Sequence, residues 1–141
     1  NTGASDIVAS MVVYVDGRPL KRDYRRFKLK DMEGPDDYAS MEQVLTRRFR
    51  RYLDGDEKFV EKPDLLLIDG GLEHVRVARR VLEAMALDIP AFGMVKDDRH
   101  RTRALVHPDG REIGIQSVPA VFSLIGQIQE ETHRFAIEYH R

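Results

Sequence analysis

The stretch PDLLLIDGG, residues 63–71, decides the fold. Its four consecutive apolar residues stand between a proline and two glycines. Such a run without polar alternation predicts a central strand buried on both faces, as in the parallel part of an α/β sheet. Asp69 lies at the carboxyl end of this strand. Open α/β sheets usually bind ligands at the carboxyl ends of their strands, so Asp69 is a candidate functional residue. A second interpretation stays open, in which Asp69 caps the following helix or fixes a turn.

The segments around this stretch predict alternating strands and helices. Predicted strands cover residues 6–16, 23–30 and 90–95, with a small hairpin or lid around residues 107–110. Predicted helices run from Asp36 or Asp37 to about Tyr52, over residues 73–86, and from Pro119 to about Tyr139. The strand, helix and strand between residues 63 and 95 predict a right-handed parallel crossover. We therefore expect one α/β domain over residues 1–141.

Composition limits the possible classes of protein. The chain has 141 residues, of which 42% are hydrophobic and 33% are charged, as expected for a globular domain with a real core. It has no cysteine, which excludes disulfides and thiolate metal sites and suits a reducing cytoplasm. No apolar run is long enough to span a membrane. The net charge of -1 means that any nucleic-acid binding must come from local clusters of cations.

Two basic features are candidates for contacts to a polyanion. Tyr24, Arg26, Lys28 and Lys30 share one face of a predicted strand, either as an ordinary solvated face or as a phosphate-facing stripe. Lys96 ends the strand over residues 90–95 and begins a charged loop, KDDRHR. We expect this loop to be mobile and solvated rather than a metal cluster, because adjacent loop residues rarely converge on one ion.

The last predicted helix carries a histidine beside its apolar face. The predicted buried stripe consists of Val121, Phe122, Ile125, Ile128 and Thr132. At 100° per residue, His133 falls beside that stripe, near Phe122 and Gln129. A histidine in this position is either packed at the rim of the core or functional.

Carboxylates and an imidazole of this kind can support metal-assisted hydrolysis. Asp69 and either Asp36 or Asp37 lie at the ends of predicted elements, and carboxylate oxygens are the ligands that Mg²⁺ or Mn²⁺ prefers. A neutral histidine can orient or deprotonate an attacking water. Lys96 and Arg134 would then contact a polyanion. The pattern is that of a phosphodiesterase.

Three segments resemble the motifs of a known family. They are GPDDYASM (residues 34–41), LIDGG (residues 67–71) and EETHRFAI (residues 130–137). In this order they resemble motifs of the UvrC family, a component of the bacterial excinuclease, and the likeness extends over essentially the whole chain. The resemblance implies the C-terminal endonuclease domain of that family. We therefore expect an RNase H-like mixed sheet with helices on both faces.

The resemblance also implies roles for single residues and partners. The family's catalytic aspartate and histidine fall on Asp69 and His133, and a further implicated aspartate falls on Asp37. The family implies metal-dependent incision of damaged double-stranded DNA on the 5′ side of a lesion, in nucleotide excision repair. UvrB would deliver the damaged DNA, and helix-hairpin-helix repeats would lie beyond Arg141.

One departure from the family pattern matters for activity. The family has another catalytic aspartate, in a Phe-Asp-x-Ser-His segment on the first, central strand of the sheet, and Asn1 aligns with residues just after it. We therefore expect an N-terminally truncated domain without that strand, with an incomplete metal site and no activity alone. Asp6 is in the wrong register to replace the lost carboxylate.

Two other functions remain open at this point. A strand ending in Asp-Gly-Gly is compatible with an α/β nucleotide-binding domain, although the chain has neither a G-x-G-x-x-G motif nor a Walker lysine loop. A non-catalytic RNase H-like adaptor, acting through protein contacts, is the other alternative.

Overall fold

The computed structural model describes residues 7–29 and 37–138. These residues form three α-helices, α1 (Asp37–Leu53), α2 (Leu72–Ala84) and α3 (Pro119–Glu138). All three were predicted from helical periodicity, and their ends lie within about two residues of the predicted ones. Across the described ranges, every helix is too short or too polar to cross a bilayer.

The main sheet has four strands in the order β5-β6-β7-β8. They are β5 (Leu66–Ile68), β6 (Ala91–Lys96), β7 (Thr102–Val106) and β8 (Glu112–Gly114). β5 and β6 are parallel and are joined through α2, which confirms the parallel crossover. The remaining pairs are antiparallel, so the sheet is mixed. The predicted hairpin around residues 107–110 is the β7–β8 connection.

β5 lies at an edge of this sheet, not at its centre. Within the described residues it pairs with β6 alone, and Leu65, just before it, is 45% exposed. The predicted central position is therefore wrong for the described part of the chain, because continuous apolar sequence reports burial and not the number of neighbouring strands. The predicted packing on both faces is confirmed, since Leu66 and Ile68 pack in one apolar cluster and Leu67 packs in the other. The first strand implied by the family resemblance stays a prediction.

The N-terminal region forms a separate two-stranded ribbon. β1 (Ile7–Met11) pairs antiparallel with β4 (Arg25–Leu29), and between them lies a small hairpin of β2 (Tyr14–Val15) and β3 (Arg18–Pro19). Asp16 and Gly17 form its turn with φ of 54° and 78°, the positive values that a two-residue hairpin requires. The predicted strand over residues 6–16 is thus interrupted after Met11. A 3₁₀ turn at Lys21–Asp23 delays the return of the chain, so pairing starts again at Arg25.

The predicted basic stripe of β4 is not a free surface. Phe27 and Leu29 are buried and Lys28 is exposed, as the alternation predicted. Tyr24, however, is buried, and the Arg26 guanidinium lies 3.8 Å from the centroid of the Phe135 ring. The phosphate-facing interpretation is therefore wrong for Tyr24 and Arg26, because α3 covers this side of the ribbon. Lys30, the last member of the stripe, lies outside the described residues.

Helices cover both faces of the main sheet, as the RNase H-like expectation required. On one face, α1 and α2 pack over a large core. Its fully or almost fully buried members are Leu45, Phe49, Ile68, Val75, Ala78, Val81, Leu82, Ile89, Ala91 and Val106. On the other face, α3 packs against a smaller cluster built on Met94, Ile115 and Ile125. Successive residues of a strand point to opposite faces, so Ile68 belongs to the first cluster and Leu67 packs against the second.

α3 is less buried than the sequence predicted. Ile125 is buried and Phe122 and Ile128 pack against the smaller cluster, but Val121 is 40% exposed. The other buried residue of α3 is Phe135, whose ring lies 5.0 Å from that of Tyr24. The predicted stripe is therefore wrong at Val121, since the second half of α3 turns toward the N-terminal ribbon.

Candidate functional site

Asp69 leaves the end of β5 at a tight turn that packs on β6. The amide of Gly70 donates to the carbonyl of Ile68 (2.8 Å), and the carbonyl of Gly70 accepts from the amide of Met94 (3.1 Å). A Cβ at Gly93 would lie 2.6 Å from the Gly70 carbonyl oxygen. Glycine is thus needed at position 93 for the Asp69 turn to approach β6 closely.

The Asp69 side chain does not cap the following helix. Gly71 is the N-cap of α2 and makes no side-chain capping bond. The capping interpretation of Asp69 is therefore wrong. Its carboxylate instead receives a hydrogen bond from another strand of the sheet.

Lys96 is the residue that contacts Asp69. Its Nζ lies 2.5 Å from Oδ1 of Asp69, with exposed fractions of 25% for the Lys96 side chain and 48% for that of Asp69. The contact forms because β5 and β6 are parallel and both chain ends emerge at the same edge of the sheet. The sequence placed both residues at this edge but did not predict their ion pair.

The start of α1 lies beside the Asp69 turn. The ring of Tyr38 packs against that of His74, with 4.7 Å between centroids and 45° between the ring planes. His74, in the first turn of α2, lies so close to Gly70 that a Cβ there would be 2.7 Å from the imidazole. Asp37 begins α1 directly before Tyr38, and its side chain lies outside the described part of the structure. His74 was not predicted as a site residue, because its position in a helix is its only signal in the sequence.

The charged loop after Lys96 is closed by its own hydrogen bonds. Asp97 accepts from the amides of Arg99 (2.8 Å) and Arg101 (3.0 Å) and also pairs with the Arg101 guanidinium. The hydrogen bonds from Arg101 and Arg99 hold the pKa of Asp97 below its usual value. This carboxylate therefore organises a turn.

Gln129 attaches α3 to this same loop. Its side-chain oxygen accepts from the Thr102 amide (2.8 Å) and hydroxyl (2.6 Å), and its Nε2 donates to the carbonyl of His100 (2.5 Å). Thr102 is 2% exposed and lies opposite Lys96 in the β6–β7 pairing. Gln129 thus connects α3 to the strand position that faces Lys96. A glutamine on the edge of an apolar helix face was the only sequence signal for this contact.

A second polar contact fixes α3 on the N-terminal ribbon. The Tyr24 hydroxyl donates to Glu131 Oε2 (2.8 Å), and the Arg134 guanidinium donates to both carboxylate oxygens of Glu131 (2.7 and 2.9 Å). The hydrogen bonds from Arg134, with that from Tyr24, lower the pKa of Glu131 to about 2. Burial and the bond to Glu131 raise the pKa of Tyr24. The carboxylate is therefore an ionised anchor between α3 and β4.

His133 lies between these two attachments. It follows Gln129 by one helical turn and Glu131 by two residues. Its side chain is exposed and, as far as the described residues go, makes no hydrogen bond or ion pair. The structure therefore places an unengaged imidazole on a helix segment that is fixed on both sides.

Arg134 is bound to acidic side chains. Besides Glu131, it donates to Glu138 Oε2 at 2.6 Å, and these hydrogen bonds raise its pKa. A contact from Arg134 to DNA would compete with both carboxylates. Its predicted role in DNA binding stays a prediction, as does that of Lys96.

The described residues provide some, but not all, of the ligands that a hard divalent cation needs. The half-exposed Asp69 carboxylate already attracts an ammonium group, and carboxylate oxygens hold Mg²⁺ or Mn²⁺ ions that keep several waters. Over residues 7–29 and 37–138, no three His, Cys, Asp or Glu side chains come close enough to share an ion. The described residues therefore supply one carboxylate of such a site and not a complete set.

Comparisons with known proteins identify the family of this chain. Residues 1–137 match the family described as the UvrC RNase H endonuclease domain. The chain is 51% identical over 144 residues to UvrABC system protein C of Finegoldia magna and covers 24% of that protein. It is 48% identical over 153 residues to the protein of the same name from Thermoanaerobacter sp. and covers 25% of it. In each case the whole of this chain is aligned, and it spans about a quarter of the length of these curated relatives. The chain therefore belongs to the UvrC RNase H endonuclease domain family.

Proposed function

We propose that this chain is the nuclease domain that hydrolyses a DNA phosphodiester on the 5′ side of a lesion in bacterial nucleotide excision repair. The observation that carries the proposal is the Asp69 edge: a half-exposed carboxylate at the end of a parallel strand, paired with Lys96 and flanked by the start of α1. The names of the relatives and of the family support the same reaction class. They favour a nuclease over the nucleotide-binding alternative.

The chemistry follows from the side chains at this edge. A divalent ion, Mg²⁺ or Mn²⁺, would when bound supply an activated water and stabilise negative charge on the phosphate. Asp69 would hold the ion, with Asp37 as a further catalytic carboxylate. The exposed imidazole of His133 would act as metal ligand or as the general base that takes a proton from water. Both roles need an unengaged nitrogen, which His133 has within the described residues.

Cations near the site would bind the DNA backbone. Lys96 lies at the same edge as Asp69, and its ammonium would turn to a phosphate when a metal ion takes its place on the carboxylate. Arg134 would contact DNA only by leaving Glu131 or Glu138. We therefore rank Lys96 above Arg134 as a contact to the substrate.

We also propose that the chain works as part of a longer protein in the cytoplasm. The relatives are about four times longer and are named for the UvrABC system, which supports UvrB as the partner that delivers damaged double-stranded DNA. The implied upstream aspartate would complete the metal site. Residues 1–141 alone should accordingly be inactive.

The test is metal-dependent nicking of lesion-bearing duplex, with UvrB present, by the protein extended upstream through the implied strand. We expect Asp69→Ala and His133→Ala each to reduce nicking at least about 100-fold. Asp64→Ala and His107→Ala are matched controls, because Asp64 lies before β5 and His107 lies after β7, on other parts of the sheet. They should retain activity.

Three outcomes would contradict parts of the proposal. Absence of nicking in the extended wild-type protein would favour the non-catalytic adaptor. Nicking that survives in both site variants would mean that the chemistry uses other residues. Robust cutting by residues 1–141 alone would show that the implied upstream aspartate is not needed.

A further inference from the structure

Four arginines surround two phenylalanine rings where β4 meets the second half of α1. We call them the arginine cluster; its members are Arg25, Arg47, Arg48 and Arg51. The rings of Phe27 and Phe59 are buried, with centroids 6.3 Å apart. Three guanidiniums lie 5.4, 5.6 and 5.6 Å from the Phe59 centroid, and the fourth lies 5.8 Å from that of Phe27. Aromatic faces attract cations at these distances and hold the guanidiniums close together.

Asp23 attracts Arg48 electrostatically, but no carboxylate lies within ion-pair distance of the arginine cluster among the described residues. None of the four arginines forms an ion pair there, whereas Arg76, Arg79 and Arg134 on the other helices do. Arg47 donates instead to the carbonyl of Lys28 (2.6 Å), and Arg25 donates to two backbone carbonyls. Neutral carbonyls fix the positions of these cations without cancelling their charge, so the cluster remains strongly positive.

The cluster also contains buried donors without an acceptor. Arg48 is 8% exposed, and its Nη1 has no hydrogen-bond partner among the described residues; the same holds for Nε of Arg25. Burial lowers the pKa of Arg48, which means that its surroundings disfavour the charged form. Unpaired buried donors and mutual repulsion both destabilise the fold, and an anion at the exposed members of the cluster would relieve the repulsion.

We propose that the arginine cluster binds phosphates of the DNA backbone at a place separate from the Asp69 edge. Planar guanidiniums match phosphate oxygens with two parallel hydrogen bonds. The exposed members Arg47 and Arg51 are one turn apart on α1 and therefore lie side by side on its surface. That the anion is DNA rests on the proposed nuclease function, which brings a polyanion to this domain.

The length of α1 sets the distance between the two sites. Tyr38 lies at the Asp69 edge through its contact with His74, and Arg51 comes thirteen residues later. At 1.5 Å per residue this separation is roughly 20 Å along the helix. A DNA strand that runs along α1 and rises 3.4 Å per nucleotide would therefore meet the cluster about six nucleotides from the cut.

The test measures DNA affinity against salt concentration without divalent ions, in the extended protein described above. The variant is Arg47→Gln/Arg51→Gln, and the matched control is Arg79→Gln/Arg80→Gln, which removes two exposed cations from α2. For a 30-base-pair duplex we expect the cluster variant to lower the slope of log K against log[salt] by about 2, with affinity falling at least tenfold at 100 mM KCl. The control should change affinity less than about twofold.

Two results would overturn the proposal. One is equal loss in the cluster variant and the control, which would mean a general effect of net charge. The other is unchanged DNA binding with loss of binding to a poly-glutamate peptide, which would assign the cluster to an acidic protein partner. This test measures DNA binding and not cutting, so its result can be interpreted even if the proposed nuclease function fails. Likewise, a failure of the arginine cluster to bind DNA would leave the nicking test interpretable.

Discussion

The two faces of the main sheet are built differently. The α1/α2 face buries a cluster of ten residues, whereas the α3 face buries three. α3 is attached instead through hydrogen bonds, which Thr102 donates to Gln129 and Tyr24 donates to Glu131. Apolar burial stabilises without fixing direction, while hydrogen bonds require a defined geometry. We infer that the first face supplies most of the stability and the second sets the position of His133.

The largest effect should come from the α1/α2 face. Phe49 is fully buried there, so Phe49→Ala should lower the free energy of unfolding by about 3–5 kcal/mol. On the α3 face, Phe122 is only partly buried, and Phe122→Ala should cost about 1–2 kcal/mol. Urea unfolding of both variants measures the difference. Equal losses of unfolding free energy in the two variants would mean that both faces contribute equally to stability.

A smaller effect should follow from Gly93→Ala, at the point where the α1/α2 face meets the Asp69 turn. The added methyl would lie 2.6 Å from the Gly70 carbonyl and 2.9 Å from Val106, and relief of this contact should cost about 1–3 kcal/mol. Gly114→Ala in β8 is the control, since a Cβ there meets nothing within 4 Å. If the two variants are equally stable, close packing does not hold the Asp69 turn.

A still smaller and pH-dependent effect should come from Glu131 on the α3 face. Glu131→Gln should cost about 1–2 kcal/mol at pH 7, because the charged hydrogen bonds from Arg134 and Tyr24 weaken. The folded pKa of Glu131 is lowered from 4.5 to about 2. The wild-type carboxylate therefore contributes stability that is full above about pH 4.5 and is lost as the pH falls toward 2.

The free energy of unfolding between pH 5 and pH 2 checks this expectation. It should fall less steeply with decreasing pH in Glu131→Gln than in the wild type. Glu130→Gln is the matched control, because Glu130 is the exposed neighbour in the same helix. A wild-type profile in Glu131→Gln would mean that this anchor does not stabilise α3.

Local sequence predicted most of the fold. Helical periodicity predicted all three described helices, and the turn residues around 107–110 predicted the hairpin between β7 and β8. The parallel crossover followed from the order of strand, helix and strand. These features depend on neighbouring residues in the chain, which explains why one sequence was sufficient to predict them.

Contacts between distant residues were not predictable in the same way. Strand alternation placed Arg26 in a solvent-facing basic stripe. In the folded chain it packs against Phe135, which lies 109 positions away, and alternation along one strand cannot predict so distant a contact. β5 was assigned to the centre of the sheet because an apolar run does not reveal how many strands pair with it. Only the strand pairing in the structure shows that β5 lies at the edge of the described sheet.

The candidate site was predicted in part. The motifs singled out Asp69 and His133, and the strand order predicted that Asp69 and Lys96 share one edge. The Lys96 ion pair, the Tyr38–His74 ring contact and the Gln129 contacts were not predicted. Each joins side chains from elements that come together only in the folded chain.

The most direct test of the Asp69 edge as a metal site is Mn²⁺ binding by the extended protein, measured by electron paramagnetic resonance. We propose that the Asp69 carboxylate holds a divalent ion in place of Lys96. Asp69→Asn should weaken Mn²⁺ binding at least about tenfold, since a metal ligand is lost, whereas Asp64→Asn, before the start of β5, should bind as the wild type does. Unchanged Mn²⁺ affinity in Asp69→Asn would contradict the claim.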